Sequence, residues 1–186
     1  ITATRKDFDL KDSDSVTQFF STNSFNTIIN CAAWTAVDDA EDRESEALKI
    51  NFEGPRNLAI CAREFNARLI HISTDYVFSG DGKKPYSVTT PTSPVNAYGR
   101  TKLQGEKAVL EIGAGYFPII RTAWLYSRHG KNFAKNMALD YVDKHYNPDA
   151  AKNTYDLMNS FGNALNQAYG TIDGWKEIMA GMVIGG

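Results

Sequence analysis

Arg68-Leu69-Ile70-His71-Ile72-Ser73-Thr74 is a short, nearly continuous apolar run. That pattern is expected of a strand buried on both faces in a parallel sheet. Thr27-Ile28-Ile29-Asn30-Cys31-Ala32-Ala33 repeats it upstream, and Phe117-Pro118-Ile119-Ile120-Arg121-Thr122-Ala123-Trp124-Leu125-Tyr126 reads as a further strand downstream. Helix-favouring residues fill the first interval: Asp38 to Lys49, then Ile50 to Phe65 with Leu58, Ala59, Ala62 and Phe65 at helical spacing. Gly54-Pro55 interrupts that interval, which predicts two helical pieces or a kink. The second interval is a loop rich in Gly, Pro, Ser and Thr from Ser79 to Asn96, then a helix over Tyr98–Leu110. Ahead of the first run, Asp9-Leu10 reads as a strand end, and Ser13 or Asp14 as the N-cap of a helix whose apolar face is Val16, Phe19 and Phe20. Strand and helix alternate throughout, which predicts an α/β doubly wound parallel sheet with right-handed crossovers.

A sheet of this kind takes ligands at the carboxyl ends of its strands. Ala32-Ala33-Trp34, Ser73-Thr74-Asp75 and Thr122-Ala123-Trp124 fall at those ends. The helix after the loop begins Tyr98-Gly99-Arg100-Thr101-Lys102, which puts a phenol and an ammonium on one face at i,i+4 spacing. A cation beside a phenol favours the phenolate and is expected to lower the Tyr98 pKa toward working pH. A tyrosine so placed can donate or accept a proton at a carbonyl or alcohol.

Composition narrows the function classes. At 186 residues, with 42% hydrophobic and 23% charged residues, the chain is of ordinary globular make-up. A net charge of −2 gives no electrostatic reason to expect nucleic acid or an anionic membrane as partner. No apolar stretch has the length of a membrane span. Cys31 and Cys61 each sit in an apolar run and are expected to be buried, reduced thiols, with no metal site. The acidic residues Asp38, Asp39, Glu41, Asp42, Glu44 and Glu46 spread round a helix as a solvated face, and His71, in mid-strand, is expected to be a core histidine. The chain opens at Ile1 with neither a Met nor a signal pattern, which reads as a cytoplasmic protein and a fragment.

Three long motifs carry a resemblance. They are Cys31-Ala32-Ala33-Trp34-Thr35-Ala36-Val37-Asp38-Asp39-Ala40-Glu41, Ser73-Thr74-Asp75-Tyr76-Val77-Phe78-Ser79-Gly80 and Pro94-Val95-Asn96-Ala97-Tyr98-Gly99-Arg100-Thr101-Lys102. Together, over about residues 7–137, they resemble the extended short-chain dehydrogenases/reductases, and among these the dTDP-4-dehydrorhamnose reductase family. The resemblance implies a partial Rossmann-like NAD(P)-binding domain over residues 1–137 and NADPH- or NADH-dependent reduction of the C4 ketone of dTDP-4-dehydro-L-rhamnose to dTDP-L-rhamnose. It implies that Tyr98 protonates the developing C4 alkoxide and that Lys102 lowers the Tyr98 pKa and holds the nicotinamide ribose. Thr74 would hydrogen-bond the carbonyl oxygen. Ala32 and Ala33 would lie along the cofactor and Asp9 and Leu10 beside the adenine, while Asp75, Tyr76 and Trp124 would contact the nucleotide-sugar substrate. It further implies a homodimer, with Mg²⁺ at the interface in some members.

The chain departs from the family in two places. No G-x-x-G-x-x-G turn is present, so the backbone cradle for the pyrophosphate is missing, and one side of the sheet is expected to be exposed. After about Met137 the likeness fades into an unassigned tail, residues 138–186, with helix-like patches at Asp149–Gln167 and Trp175–Met182. His129–Phe133 is expected to form a turn near the site. Dehydration is disfavoured, because Tyr76 occupies the place where nucleotide-sugar dehydratases carry a glutamate. Two alternatives stay open: a non-catalytic subunit similar to the regulatory subunit of methionine adenosyltransferase, and an inactive fragment.

Overall fold

The computed structural model describes residues 1–82, 84–123 and 125. The chain divides into two compact units, residues 1–83 with 87–122, and residues 84–86 with 123–186. The first unit runs α1 (Ser13–Thr22), β1 (Thr27–Asn30), α2 (Val37–Asp42), α3 (Glu44–Leu48), a π-helical turn (Lys49–Glu53), α4 (Gly54–Glu64), β2 (Arg68–Thr74), a 3-10 turn (Asp75–Val77), α5 (Ala97–Gly113) and β3 (Ile119–Thr122). Trp124, the expected turn at His129–Phe133 and the tail lie outside the described residues.

β1, β2 and β3 form a parallel sheet in that order, with Ile28 beside Leu69, Asn30 beside His71 and Ser73 beside Arg121. Successive crossovers of one hand lay α4 and α5 on the same face. Leu69, fully buried, faces Val16, Phe20, Leu58, Ala62 and Val109, so this face packs on α1, α4 and α5. The opposite face is open: Ile29 is 61% and Ile120 42% exposed. β2 keeps its expected bounds but is buried on one face only, with Ile70 and Ile72 half-buried on the other, while β1 is shorter than expected, lies at a sheet edge, and is likewise not buried on both faces. Cys31 follows it into solvent, whereas Cys61 is buried in α4 as expected.

Local chemistry resets several boundaries. Residues Phe8–Lys11 form a turn and loop, not a strand end. The N-cap of α1 is Asp12, whose Oδ1 accepts from the N–H groups of Asp14 at 3.0 Å and Ser15 at 3.3 Å. A carboxylate there satisfies otherwise orphaned donors and complements the helix dipole better than Ser13 or Asp14 could from inside the first turn.

The Gly54-Pro55 interruption becomes a widened turn within a helical path. Gly54 N–H donates five residues back to the Lys49 carbonyl, and Pro55, in the first turn of α4, has no N–H to offer Asn51. The Asn51 carbonyl thus released faces Gly105 of α5, where a Cβ would overlap its oxygen.

Candidate active site

β2 ends by turning into Asp75–Val77, and that turn fixes Thr74. Tyr76 N–H donates to Thr74 Oγ1 at 3.2 Å, and Thr74 Oγ1 donates to Asp75 Oδ1 at 3.1 Å. Tyr98 arrives from the first turn of α5, which Asn96 caps by accepting from Gly99 N–H at 2.7 Å. The phenol of Tyr98 faces the Thr74 hydroxyl, and its ring meets Tyr76 edge-on at 5.5 Å. The helix comes this close because Gly99 has no side chain to strike the Tyr76 carbonyl. Thr74 and Tyr98 are buried, Asp75 is half-buried, and Tyr76 is exposed beside them.

Lys102 lies one turn further along α5 and is 2% exposed. Its ammonium donates to the Ile72 carbonyl of β2 at 2.8 Å. Burial pushes its pKa down to about 8, against the pull of Glu106 and Cys31. The Tyr98 pKa is raised, chiefly by burial, with the Thr74 hydroxyl opposing and the charges of Asp75 and Tyr76 adding to it. This corrects the expectation that Lys102 lowers it. The ammonium is turned into the sheet, so Tyr98 is held as a neutral phenol.

The residues expected at the cofactor gather elsewhere on the same unit. Asp9, Leu10, Ala32 and Ala33 line one cavity of ≈ 650 Å³ along the outer side of β1. Asp9 is fixed there, its Oδ1 accepting from Lys11 N–H at 3.1 Å, which helps hold its carboxyl below its ordinary pKa. Leu10 is held by Asn57, which donates to its carbonyl at 3.0 Å. Two alanines at the strand end leave room for a flat ring, and Asn30 Oδ1 accepts from Ala32 N–H at 3.0 Å. These residues fit the adenosine end of a dinucleotide, and buried Lys102 fits the nicotinamide-ribose end. Among the described residues no glycine-rich turn serves the pyrophosphate. Nor is any group of three or more His, Cys, Asp or Glu side chains among them placed to hold a metal ion.

Three supporting residues escaped the sequence. Asn51, fully buried, accepts from Trp34 N–H at 2.8 Å and donates to the Trp34 carbonyl at 3.2 Å and Thr101 Oγ1 at 3.1 Å. It clamps the loop after β1 to the helix that carries Tyr98 and Lys102. Glu41 accepts from Ala97 N–H at 2.6 Å, and Glu44 takes both a 3.1 Å and a 2.7 Å bond from Arg100. Part of the supposed solvated acidic face thus anchors the start of α5. A polar residue amid the apolar helix Ile50–Phe65 was the available signal for Asn51; for Glu41 and Glu44 there was none.

His71 is a core histidine, fully buried, with Nδ1 3.1 Å from Asn30 Nδ2 and Nε2 unpartnered. Burial, with the Lys102 charge adding, drives its pKa down to about 3. Below pH ~6.5 the unfolded chain binds a proton there that the folded chain refuses, so stability falls as pH drops from that value toward 3. At pH 5 this group alone should cost about 2 kcal/mol relative to neutral pH. Denaturant unfolding at pH 7 and pH 5 should therefore show a steeper acid loss in the parent than in His71→Gln; parallel pH profiles would refute it.

Residues 1–146 match the model of the RmlD substrate binding domain family. The chain belongs to that family. A relative in Streptomyces niveus, a dTDP-4-keto-6-deoxy-D-glucose reductase, is 49% identical over 137 residues, 74% of this chain and 48% of that one. Among solved structures, a Clostridium acetobutylicum dTDP-4-dehydrorhamnose reductase superposes with a TM-score of 0.74 at 41% identity, covering 78% of this chain and 51% of that one. A Bacillus anthracis dTDP-4-dehydrorhamnose reductase in complex with NADP superposes with a TM-score of 0.72 at 36% identity, over the same 78% and 51%. This RmlD-family chain thus shares their Rossmann-like fold and spans about half the length of these relatives. Among its described residues, no helix is long and apolar enough to cross a membrane.

Proposed function

We propose that this chain contributes the proton-donating half of an NADPH-dependent reductase that converts the C4 ketone of a dTDP-linked 4-keto-6-deoxy sugar to an alcohol, with dTDP-4-dehydro-L-rhamnose as substrate and dTDP-L-rhamnose as product. One observation carries it: a buried threonine–tyrosine hydroxyl pair at the carboxyl end of β2, with a buried lysine one helical turn behind. NADPH supports the reading over NADH because the Bacillus anthracis relative was solved with NADP. Bound, the reduced nicotinamide supplies a hydride.

Everything else falls to the chain's own side chains. A ketone oxygen beside Thr74 and Tyr98 would meet both hydroxyls. As negative charge grows on that oxygen, Thr74 Oγ1 would donate to it and Tyr98 would pass it the phenolic proton. A phenol pushed above its ordinary pKa suits that role, since it is protonated when the ketone arrives. Lys102, charged and donating, would hold a ribose hydroxyl with an N–H not given to the Ile72 carbonyl. Asp75 and Tyr76, at the outer side of the pair, would contact the sugar, as would Trp124, which lies outside the described residues. Asp9, Leu10, Ala32 and Ala33 would line the adenosine end. Association as a homodimer, in some members with Mg²⁺ at the interface, belongs to the same reading.

The test is a chimera in which the segments of the Streptomyces niveus relative outside the match complete this chain. It should consume NADPH with dTDP-4-dehydro-L-rhamnose and much more slowly with NADH. Turnover with dTDP-4-keto-6-deoxy-D-glucose but not with the rhamnose precursor would reassign the substrate. No NADPH consumption with either would reject the reading.

A further inference from the structure

Glu106 is an anomaly in this fold: a carboxylate 1% exposed, on α5 one turn beyond Lys102 and on the same face of the helix. Both of its oxygens are taken by one guanidinium. Arg121 Nε lies 3.0 Å from Oε1 and Arg121 Nη2 2.6 Å from Oε2, while the guanidinium carbon sits 5.0 Å over the Phe78 ring. Arg121 belongs to β3, next to Thr122, whose hydroxyl donates to the Ser73 carbonyl of β2 at 3.2 Å. So the ion pair ties β3 to α5 directly behind the Thr74–Tyr98 pair. Lys102 itself has no carboxylate partner of its own among the described salt bridges and donates a hydrogen bond to a neutral carbonyl.

We infer that Glu106 is a positioning residue, which keeps the buried Lys102 ammonium charged and neutralises Arg121 so that two cations can share one face of the sheet. The catalytic sense of this rests on the reading of Lys102 as the cation behind Tyr98. The groups facing Lys102 can be named in full from the elements around it. On α5 it is Glu106; on β2, the Ile72 carbonyl and neutral His71; after β1, Cys31; and on β3, Arg121 through Glu106. Glu106 and Cys31 favour the charged lysine, and Glu106 acts more strongly. Removing the Glu106 charge would strip Lys102 of that support and expose it to an unneutralised Arg121. Both changes push its proton off.

The Lys102 titration reads this without substrate or cofactor. The chain is labelled with ¹³Cε-lysine, and the Lys102 signal is assigned by its loss in Lys102→Arg. In Glu106→Gln the Lys102 midpoint should fall by about one pH unit or more, a tenfold loss of proton affinity. The double variant Glu106→Gln with Arg121→Gln removes one charge of each sign and should bring the midpoint most of the way back. An unchanged midpoint in Glu106→Gln would overturn the inference. So would single and double variants both titrating like an exposed lysine, because Glu106 would then be only a structural anchor. A confirmed titration pattern with a chimera inactive toward both sugars would instead reject the reductase reading alone.

Discussion

Replacing Tyr98 by phenylalanine should lower kcat of the completed enzyme by about 10²–10⁴, the range a positioned general acid contributes. KM for NADPH should stay nearly unchanged. The substitution removes one oxygen atom and keeps the ring, so the edge-on packing against Tyr76 at 5.5 Å survives. What goes is the proton and the hydroxyl that faces Thr74. A loss confined to turnover identifies an interaction made in the transition state and not in cofactor binding. Thr74 gives the control: its hydroxyl also caps the Asp75–Val77 turn, so Thr74→Val should lose rate and some local stability together. Retention of near-full turnover by Tyr98→Phe would end the case for this tyrosine as the proton donor.

Gly105→Ala should be among the most destabilising single-methyl changes in the chain, by about 3 kcal/mol, at the upper end of the usual cost of overpacking. The added Cβ would overlap the Asn51 carbonyl oxygen, which is backbone and cannot rotate aside. That oxygen stands where it does because the chain is π-helical at Lys49–Glu53 and Pro55 has no N–H to receive it. To admit the methyl, α5 must lift from the π turn. Lifting it would pull Thr101 from Asn51, now 3.1 Å away, and shift Tyr98 and Lys102 on the same helix. Against a total stability of about 5–15 kcal/mol the loss is large. Denaturant melts of parent and variant measure it directly, and an unchanged midpoint would mean that the two helices do not meet as closely as described.

How much of this was legible beforehand depended on the range of the interaction. The β2 strand over Arg68–Thr74 was read residue for residue, because an apolar run between polar ends is a local signal. The α5 helix and the Tyr98/Lys102 spacing were legible for the same reason. The cap of α1 lies at Asp12, one residue before Ser13 and two before Asp14, a matter of side-chain reach that composition does not encode. β1 was read as doubly buried because its apolar run resembles a central strand. Its edge position depends on which neighbours the sheet has, and Ile29 faces outward there.

The site divides along the same line. Residue types and order along the chain were enough to bring Thr74, Tyr98 and Lys102 together at one strand end, since the topology of a parallel sheet sends every strand terminus to the same side. Only the tertiary structure decided their charge states. Burial raises the Tyr98 pKa and lowers that of Lys102, and the ammonium turns to the Ile72 carbonyl, not to the phenol. Nor could sequence pair Asn51 with Trp34 and Thr101, or Glu106 with Arg121, because those bonds join residues from different elements. Periodicity fixes which face of an element is apolar; the electrostatics of a site depend on how much water the other elements exclude, and that is set when they pack.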